Sequence, residues 1–423
     1  MRTDNQNLFY SLREKHPIFT YYGFDFQIDE NGTLNYSFDF RIGDTYRFEP
    51  LMQLQPGNYC RRNIDDNLLK GLIFHIGMIE LISYWKCVCS PVIHIRNYKL
   101  NEEQQAFWLK LFHKGLGEFF YQNGIDTHDI PFITFSFDDN AIAIDNFEYQ
   151  QIATSDRIIV PIGGGKDSVV TLEKLRIKNE VVPFIINPRE ATLACSATAG
   201  FHGKNEIIIL NREIDPQLLE LNRQGFLNGH TPFSAMLAFH SLLAAYTTDI
   251  REIALSNESS ANEPTIPGTD INHQYSKSLE FEQDFRAYVA SNMSNVAHYY
   301  SYLRPYNELQ IAAMFANYPD YFPIFRSCNA GSKENRWCCN CPKCLFTAII
   351  LAPYISEEQL IAIFGEDLLD KPSLLPYFRE LTGIAENKPF ECVGTVEEVN
   401  KAINMVIDKY KDKYLIKKYI DEK

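Results

Sequence analysis

Three clusters of residues in this chain have the types and spacing to do chemistry. In the first, the apolar run Arg157-Ile158-Ile159-Val160-Pro161-Ile162 ends in Gly163-Gly164-Gly165-Lys166-Asp167-Ser168, and Val169, Leu172 and Leu175 follow at helical spacing. Glycines let the backbone approach an anion closely, and the exposed amides at a helix start, helped by its dipole, attract phosphate. Lys166 adds a charge and Ser168 a hydroxyl donor. A Walker A loop needs a glycine, four residues and then Gly-Lys-Ser/Thr, and that spacing is absent; the third glycine position of a dinucleotide-binding fingerprint is missing as well. The alternative is a glycine-rich strand-to-helix turn without a ligand.

The second cluster is Ser256-Asn257-Glu258-Ser259-Ser260-Ala261-Asn262-Glu263, directly after the strand-like Arg251–Leu255, followed by Asn272-His273-Gln274-Tyr275-Ser276-Lys277-Ser278. Polar residues massed where a parallel strand ends suit a site better than packing. Imidazole, amide, phenol, hydroxyl and amine stand side by side there, with a well-capped helix start as the bland alternative. The third cluster holds five of the ten cysteines, Cys328, Cys338, Cys339, Cys341 and Cys344. Cys328-(9)-Cys338-(2)-Cys341-(2)-Cys344 has spacing that puts four thiolates around a tetrahedral Zn²⁺, with Cys339 left over. Reduced buried thiols, which behave as small hydrophobes, are the competing reading.

The elements that must position these groups divide the chain. Aromatic and polar residues alternate from Phe19 to Phe48 around Asn31-Gly32, which predicts a β-hairpin. Leu68 to Trp85 and Glu102 to Tyr121 carry helical spacing, and Pro131 to Ile144 reads as extended. His75, His94 and His113 occur singly and read as core or surface histidines. Residues 1–150 therefore form an expected N-terminal α+β domain. From Arg157 strands alternate with helices, the pattern of a parallel sheet covered on both faces: Arg157 to Ile162, Val181 to Ile186, Glu206 to Leu210 and Glu252 to Ser256 are the strands, and Thr231 to Thr247 is a helix with Thr231 as N-cap. This α/β domain is expected over 151–327, and a cysteine cluster with a helical C-terminal region over 328–423. Asp408 to Lys423 reads as a solvated, Lys-rich helical tail.

At roughly 100–200 residues per domain, 423 residues suit two or three. An apolar fraction of 45% with 22% charged residues excludes a wholly disordered chain. The formal net charge of −14 argues against wide contact with nucleic acid, since such surfaces need clustered Lys and Arg. No apolar core follows the first charged residues, as a secretion signal requires, and Phe233 to Tyr246 and Leu345 to Ala352 fall short of a membrane span. A cytoplasmic chain away from membranes is expected, which favours metal over disulfides for the crowded cysteines.

The glycine loop resembles the pyrophosphate loop of the ATP-pyrophosphatase (PP-loop) superfamily, Ser-Gly-Gly-x-Asp-Ser, with Gly163 in place of the first serine and one hydroxyl donor fewer. The cysteine spacing is similar to the zinc cluster that closes 7-cyano-7-deazaguanine synthase, another enzyme of that superfamily. Together with Ser256–Asn262, Asn272–Ser278 and Lys388-Pro389-Phe390-Glu391-Cys392-Val393-Gly394-Thr395, the loop resembles the MurL family, the UDP-N-acetyl-α-D-muramoyl-L-alanyl-L-glutamate epimerases. The resemblance runs from about Arg157 to Thr395; the first motif is shared by the superfamily, the middle pair is more specific, and the first 150 residues join by colinearity.

That resemblance implies a PP-loop (adenine nucleotide α-hydrolase-like) core and an ATP- and Mg²⁺-dependent inversion of the terminal L-glutamate of a UDP-sugar dipeptide, in peptidoglycan synthesis. It implies that Gly163, Gly164, Gly165, Lys166, Asp167 and Ser168 hold the leaving pyrophosphate, with Asp167 acting through Mg²⁺. Two proton-transfer groups on opposite faces are expected, with His273, Lys277 and Glu258 as unordered candidates. Cys195 is an alternative, because cysteine pairs serve cofactor-free amino-acid racemases. No residue identifies a Schiff-base lysine. The competing functions are a PP-loop amide or nitrile ligase acting on a nucleobase or tRNA, and a nucleotide-binding protein without catalysis.

Overall fold

The computed structural model describes residues 2–61, 63–128, 130–144 and 152–422. The chain forms two compact units that interleave along the sequence. One takes Met1–Ser155, Ile207–Ile253 and Phe281–Tyr299; the other takes Asp156–Glu206, Ala254–Glu280 and Tyr300–Lys423.

In the first unit the expected hairpin is present: Ile18–Ile28 and Leu34–Ile42 pair antiparallel, with Phe24 opposite Phe38 and Phe26 opposite Tyr36. Between them Asp29 Oδ1 accepts from the Asn31 and Thr33 amides at 2.8 and 2.9 Å. Strict alternation buries Tyr36, Phe38 and Phe40 on one face. Leu34–Ile42 continues antiparallel to Leu51–Gln55, which pairs with Ile208–Glu213, while Ile18–Ile28 runs parallel to Val92–Ile95 and that strand parallel to Thr134–Phe137. The sheet is thus mixed.

Helix Asp66–Trp85 starts at Asp65, whose side chain accepts from the Asn67 amide at 2.8 Å. By length and composition it is apolar enough to cross a membrane, unlike the shorter stretches the sequence singled out, yet it is 94% buried within the structure. Two of its buried polar residues, Glu80 and His75, are satisfied inside. Glu80 takes a bidentate pair from Arg212 at 2.7 and 2.9 Å, and His75 lies between the Gly71 carbonyl and the Tyr288 hydroxyl.

Two local expectations change. The run Glu102 to Tyr121 is two helices, Glu102–Gly115 and Gly117–Asn123, because Leu116 leaves helical geometry between two glycines. The helix expected from Thr231 begins at Phe233 instead, with Pro232 at its N-cap, and the Thr231 hydroxyl accepts from the Lys86 ammonium at 2.7 Å.

In the second unit Arg157–Pro161 and Glu180–Ile186 pair in parallel, Ile158 opposite Val181 and Val160 opposite Pro183, joined by helix Lys166–Leu175. Both strands are near-continuous buried apolar runs, as strands covered on both faces must be. Among the described residues seven further α-helices follow: Glu190–Thr198, Glu308–Phe315, Pro342–Leu351, Glu357–Phe364, Leu375–Thr382, Val396–Tyr410 and Tyr414–Glu422. The C-terminal tail is amphipathic rather than wholly solvated, since Leu415, Ile416 and Tyr419 are buried.

Candidate active site

The glycine loop does what a strand-to-helix cradle requires. Gly164 has φ +81°, and a Cβ there would meet Ala191 Cβ and the Thr192 nitrogen, each at 3.2 Å, so both conformation and space demand glycine. The Arg326 amide donates to the Gly164 carbonyl at 2.8 Å and braces the loop from outside. At exposed Gly163 a Cβ would meet nothing within 4 Å. The position where the superfamily motif carries serine therefore faces open space, next to the start of the ten-residue helix Lys166–Leu175.

The charged residues of the loop differ in exposure. Lys166 is buried, and its ammonium pairs with Asp167 and Glu308. Ser168 donates its hydroxyl to the Gly165 carbonyl at 3.0 Å. Asp167 remains half-exposed. Cys195 lies buried behind the loop, its thiol 3.8 Å from the Gly164 carbonyl, and burial pushes that thiol up to about 12.

The second motif is assembled by Arg304, whose guanidinium donates to the Glu258 carbonyl and to the Lys277 carbonyl, each at 2.7 Å. Two segments 19 positions apart are thereby fixed by one planar group. The Asn272 side chain donates to the Ala261 carbonyl at 2.9 Å and accepts from the Gln274 amide at 2.7 Å, and the His273 amide donates to Thr265 Oγ1 at 3.0 Å. Asn262 accepts from the Leu279 amide at 2.7 Å and so starts the following helix. Capping and site assembly are both served by this polar run.

Three residues outside the sequence-based candidates complete the cluster. Cys392 is hydrogen-bonded by His273 and by Lys277. Lys343, in the first turn of Pro342–Leu351, donates to the Cys392 carbonyl. Glu308 opens its helix, and its amide donates to Glu398 Oε1 at 2.9 Å, an oxygen that also accepts from Ser260 at 2.8 Å. Gly394 is required at this junction, because a Cβ there would come within 2.7 Å of Glu398 Oε2 and 3.0 Å of Glu308 Cγ. Cys392 stood within a quoted motif, but its neighbours arrive from residues 273, 277 and 343, which no local pattern announces.

The electrostatics follow from crowding charges in a dry place. Burial opposes the Lys166 ammonium, but Asp167 and Glu308 outweigh it and hold the group above the ordinary lysine range. Burial would raise Asp167, yet Lys166, Lys343 and Lys277 hold it low. Burial raises Glu258 against the pull of Lys277, with Asp167 adding to the rise. Glu308 is pushed up to about 8 by burial, opposed by Lys166 and assisted by Asp167 and Glu258. For Cys392 burial works against ionisation, and the Lys277 ammonium, the His273 hydrogen bond and Lys343 hold the thiol well below its usual value.

The cysteine cluster closes as its spacing predicts. Cys328 and Cys341 sulfurs lie 3.8 Å apart, Cys338 and Cys344 3.8 Å, and Cys341 and Cys344 3.5 Å. Four thiolates about 2.3 Å from a tetrahedral zinc stand about 3.8 Å from one another, so the donor set fits that ion. The Gly331 amide donates to the Cys328 sulfur at 3.2 Å, and Asn340 and Cys344 amides approach Cys338 and Cys341 at 3.5 Å. Cys339 turns away toward the Phe364 carbonyl.

Comparison with known families is decided by two matches. The MurL N-terminal domain model matches residues 11–302 and the MurL C-terminal domain model residues 324–423. The chain belongs to the MurL family. Between them the two matched ranges include every site residue named above except Arg304 and Glu308, and the first extends the likeness into the N-terminal residues that the motifs did not reach. A relative from Micromonospora sp. is 34% identical over 354 residues, 80% of this chain and 76% of the relative. One from Xanthomonas oryzae pv. oryzae is 35% identical over 355 residues, 81% of this chain and 76% of the relative, and one from Salinispora tropica 38% over 257 residues, 59% and 55%. All three are named UDP-N-acetyl-α-D-muramoyl-L-alanyl-L-glutamate epimerase, and epimerases are isomerases. By family this MurL chain is therefore an isomerase. No solved structure matches it.

Proposed function

We propose that this chain inverts the terminal L-glutamate of UDP-N-acetylmuramoyl-L-alanyl-L-glutamate to D-glutamate through ATP-dependent activation of the glutamyl carboxylate, a step of peptidoglycan precursor synthesis. The observation that carries this reading is convergence: Asp167, Glu258, His273, Lys277 and Cys392, from four separate sequence segments, become electrostatic neighbours within one unit.

The chemistry explains why ATP would be needed. Removing an α-proton beside a free carboxylate piles a second negative charge onto the same group. Splitting ATP between its α and β phosphates, as PP-loop enzymes do, would convert that carboxylate to a mixed anhydride with AMP and so acidify the α-carbon. On this reading the open side of the loop at Gly163, with the helix-start amides that follow it, holds the leaving pyrophosphate. Half-exposed Asp167 would carry Mg²⁺, whose hard charge suits carboxylate and phosphate oxygens. His273, Lys277 and Glu258 would be the candidates for the two proton-transfer groups. Cys328, Cys338, Cys341 and Cys344 would hold Zn²⁺, which would close the fold beside Lys343 rather than react. With ATP and a UDP-linked substrate, the reaction belongs in the cytoplasm.

The test is incubation with UDP-N-acetylmuramoyl-L-alanyl-L-glutamate, ATP and Mg²⁺, followed by hydrolysis and determination of glutamate chirality. D-Glutamate formed together with AMP and pyrophosphate is the expected result. Inversion without AMP would remove the activation step, and AMP formed only when ammonia or another amine is supplied would make the protein a ligase.

A further inference from the structure

We propose that Cys392, held between Lys277 and His273, is the base that removes the α-proton of the activated glutamyl residue. The inference rests on the epimerase reading above and orders its candidates. Cys392 becomes the catalytic group on one face, while Lys277 and His273 become the residues that position and ionise it.

Among the described residues, only Cys392 of the ten cysteines is hydrogen-bonded by both a lysine and a histidine. Four others face one another in the metal-binding set, Cys339 turns to a carbonyl and Cys195 is held as a buried thiol. Cys392 is half-buried, as are Lys277 and His273, so the three line accessible space. Its main chain is held by two bonds: Lys343 donates to the Cys392 carbonyl, and the Gln274 side-chain nitrogen donates to the Val393 carbonyl at 3.1 Å.

A second observation points to a ligand at this place. Gln274 is only 4% exposed, and its Oε1 has no hydrogen-bond partner among the described residues. A buried acceptor on the side chain that holds Val393, the neighbour of Cys392, is satisfied when a bound molecule brings an N–H or O–H. The peptide N–H of the glutamyl residue is such a donor, one bond from the carbon to be deprotonated.

The proton transfer balances within the groups present. The Cα–H bond breaks, its electron pair moves onto the activated carboxyl group, and the proton passes to Cys392 Sγ. Glu258, whose carboxyl burial holds above its usual range, returns a proton to the α-carbon from the other side and becomes the carboxylate. Water then cleaves the mixed anhydride, releasing AMP and the free carboxylate, and proton exchange with water restores both groups.

The experiment compares wild type with Cys392→Ser, Cys392→Ala and Lys277→Met, using the UDP-linked dipeptide, ATP and Mg²⁺ in D₂O. Both Cys392 variants are expected to release AMP from the L-substrate while D-product and deuterium entry into the L-substrate fall about 10²–10⁴-fold. In the resting wild type, iodoacetamide should alkylate Cys392 with a midpoint well below the ordinary thiol value of about 8.5, and Lys277→Met should raise that midpoint. Cys392 variants that epimerise within tenfold of wild type overturn the proposal, as does equal loss of AMP formation and epimerisation. A glutamyl thioester on Cys392 found by mass spectrometry overturns it too, since the thiolate would then be a nucleophile. A wild type that releases no AMP refutes the activation reading itself, a result distinct from any of these.

Discussion

At the scale of single residues, Lys166 and Asp167 are adjacent yet do different work. Lys166 is an interior cation between two carboxyl groups, whereas Asp167 is partly exposed. Asp167→Ala should leave the fold intact, because Lys166 retains Glu308. Pyrophosphate release should fall by about 10²-fold or more, the usual loss when one electrostatic group of a transition state is removed. Turnover near the parent rate would take the loop out of the mechanism. Lys166→Met should instead act on stability: it leaves Asp167 and Glu308 facing each other without their cation, a change worth about 3 kcal/mol or more. A urea unfolding midpoint equal to that of wild type would contradict this account of the pair.

At the scale of elements, the cysteine cluster and the helix Pro342–Leu351 are one device. Cys341 is the N-cap of that helix, its sulfur accepting from the Cys344 amide, and Lys343 extends from the same turn to the Cys392 carbonyl. Cys341→Ser should release one equivalent of zinc and loosen the Lys343 contact, since three thiolates leave the tetrahedral site open. Elemental analysis that finds no zinc in the unmodified protein would return the cluster to buried thiols. This element was legible because the three spacings between its four cysteines are local. The glycine loop, the hairpin and the strand pair at 157 and 180 were legible for the same reason, as each is declared by consecutive residues. Glu308, Arg304 and Cys392 were not, because what makes each functional is who arrives beside it: Arg304 matters for two carbonyls at 258 and 277, and Cys392 for side chains 115 and 119 positions away. Thr231 shows the reverse error, a good capping residue taken instead by a buried lysine.

At the scale of the whole molecule, the −14 charge coexists with a second unit that gathers Lys166, Lys277 and Lys343 around Asp167, so positive charge is concentrated locally. The first unit, beside its buried Glu80–Arg212 pair, also encloses two neutral histidines. His75 and His240 are both fully buried, and burial pushes each down to about 4 despite hydrogen bonds to the carbonyls of Gly71 and Met236. Each is neutral in the folded state and regains an ordinary value near 6.5 on unfolding. Their contribution to stability is therefore fully present above pH 6.5 and is lost as pH falls toward 4, because the unfolded chain takes up protons that the folded chain refuses. At pH 5 the loss amounts to about 2 kcal/mol for each histidine by this linkage. His240 is the cleaner test, since its Nε2 has no partner among the described residues and a phenyl ring replaces the imidazole with the loss of one local hydrogen bond. Urea midpoints for the first unit, followed between pH 8 and pH 5, should fall less steeply in His240→Phe than in wild type, and less steeply again with His75→Phe added. Parallel pH profiles for wild type and the double variant would show that these two rings do not set the acid limit of the fold.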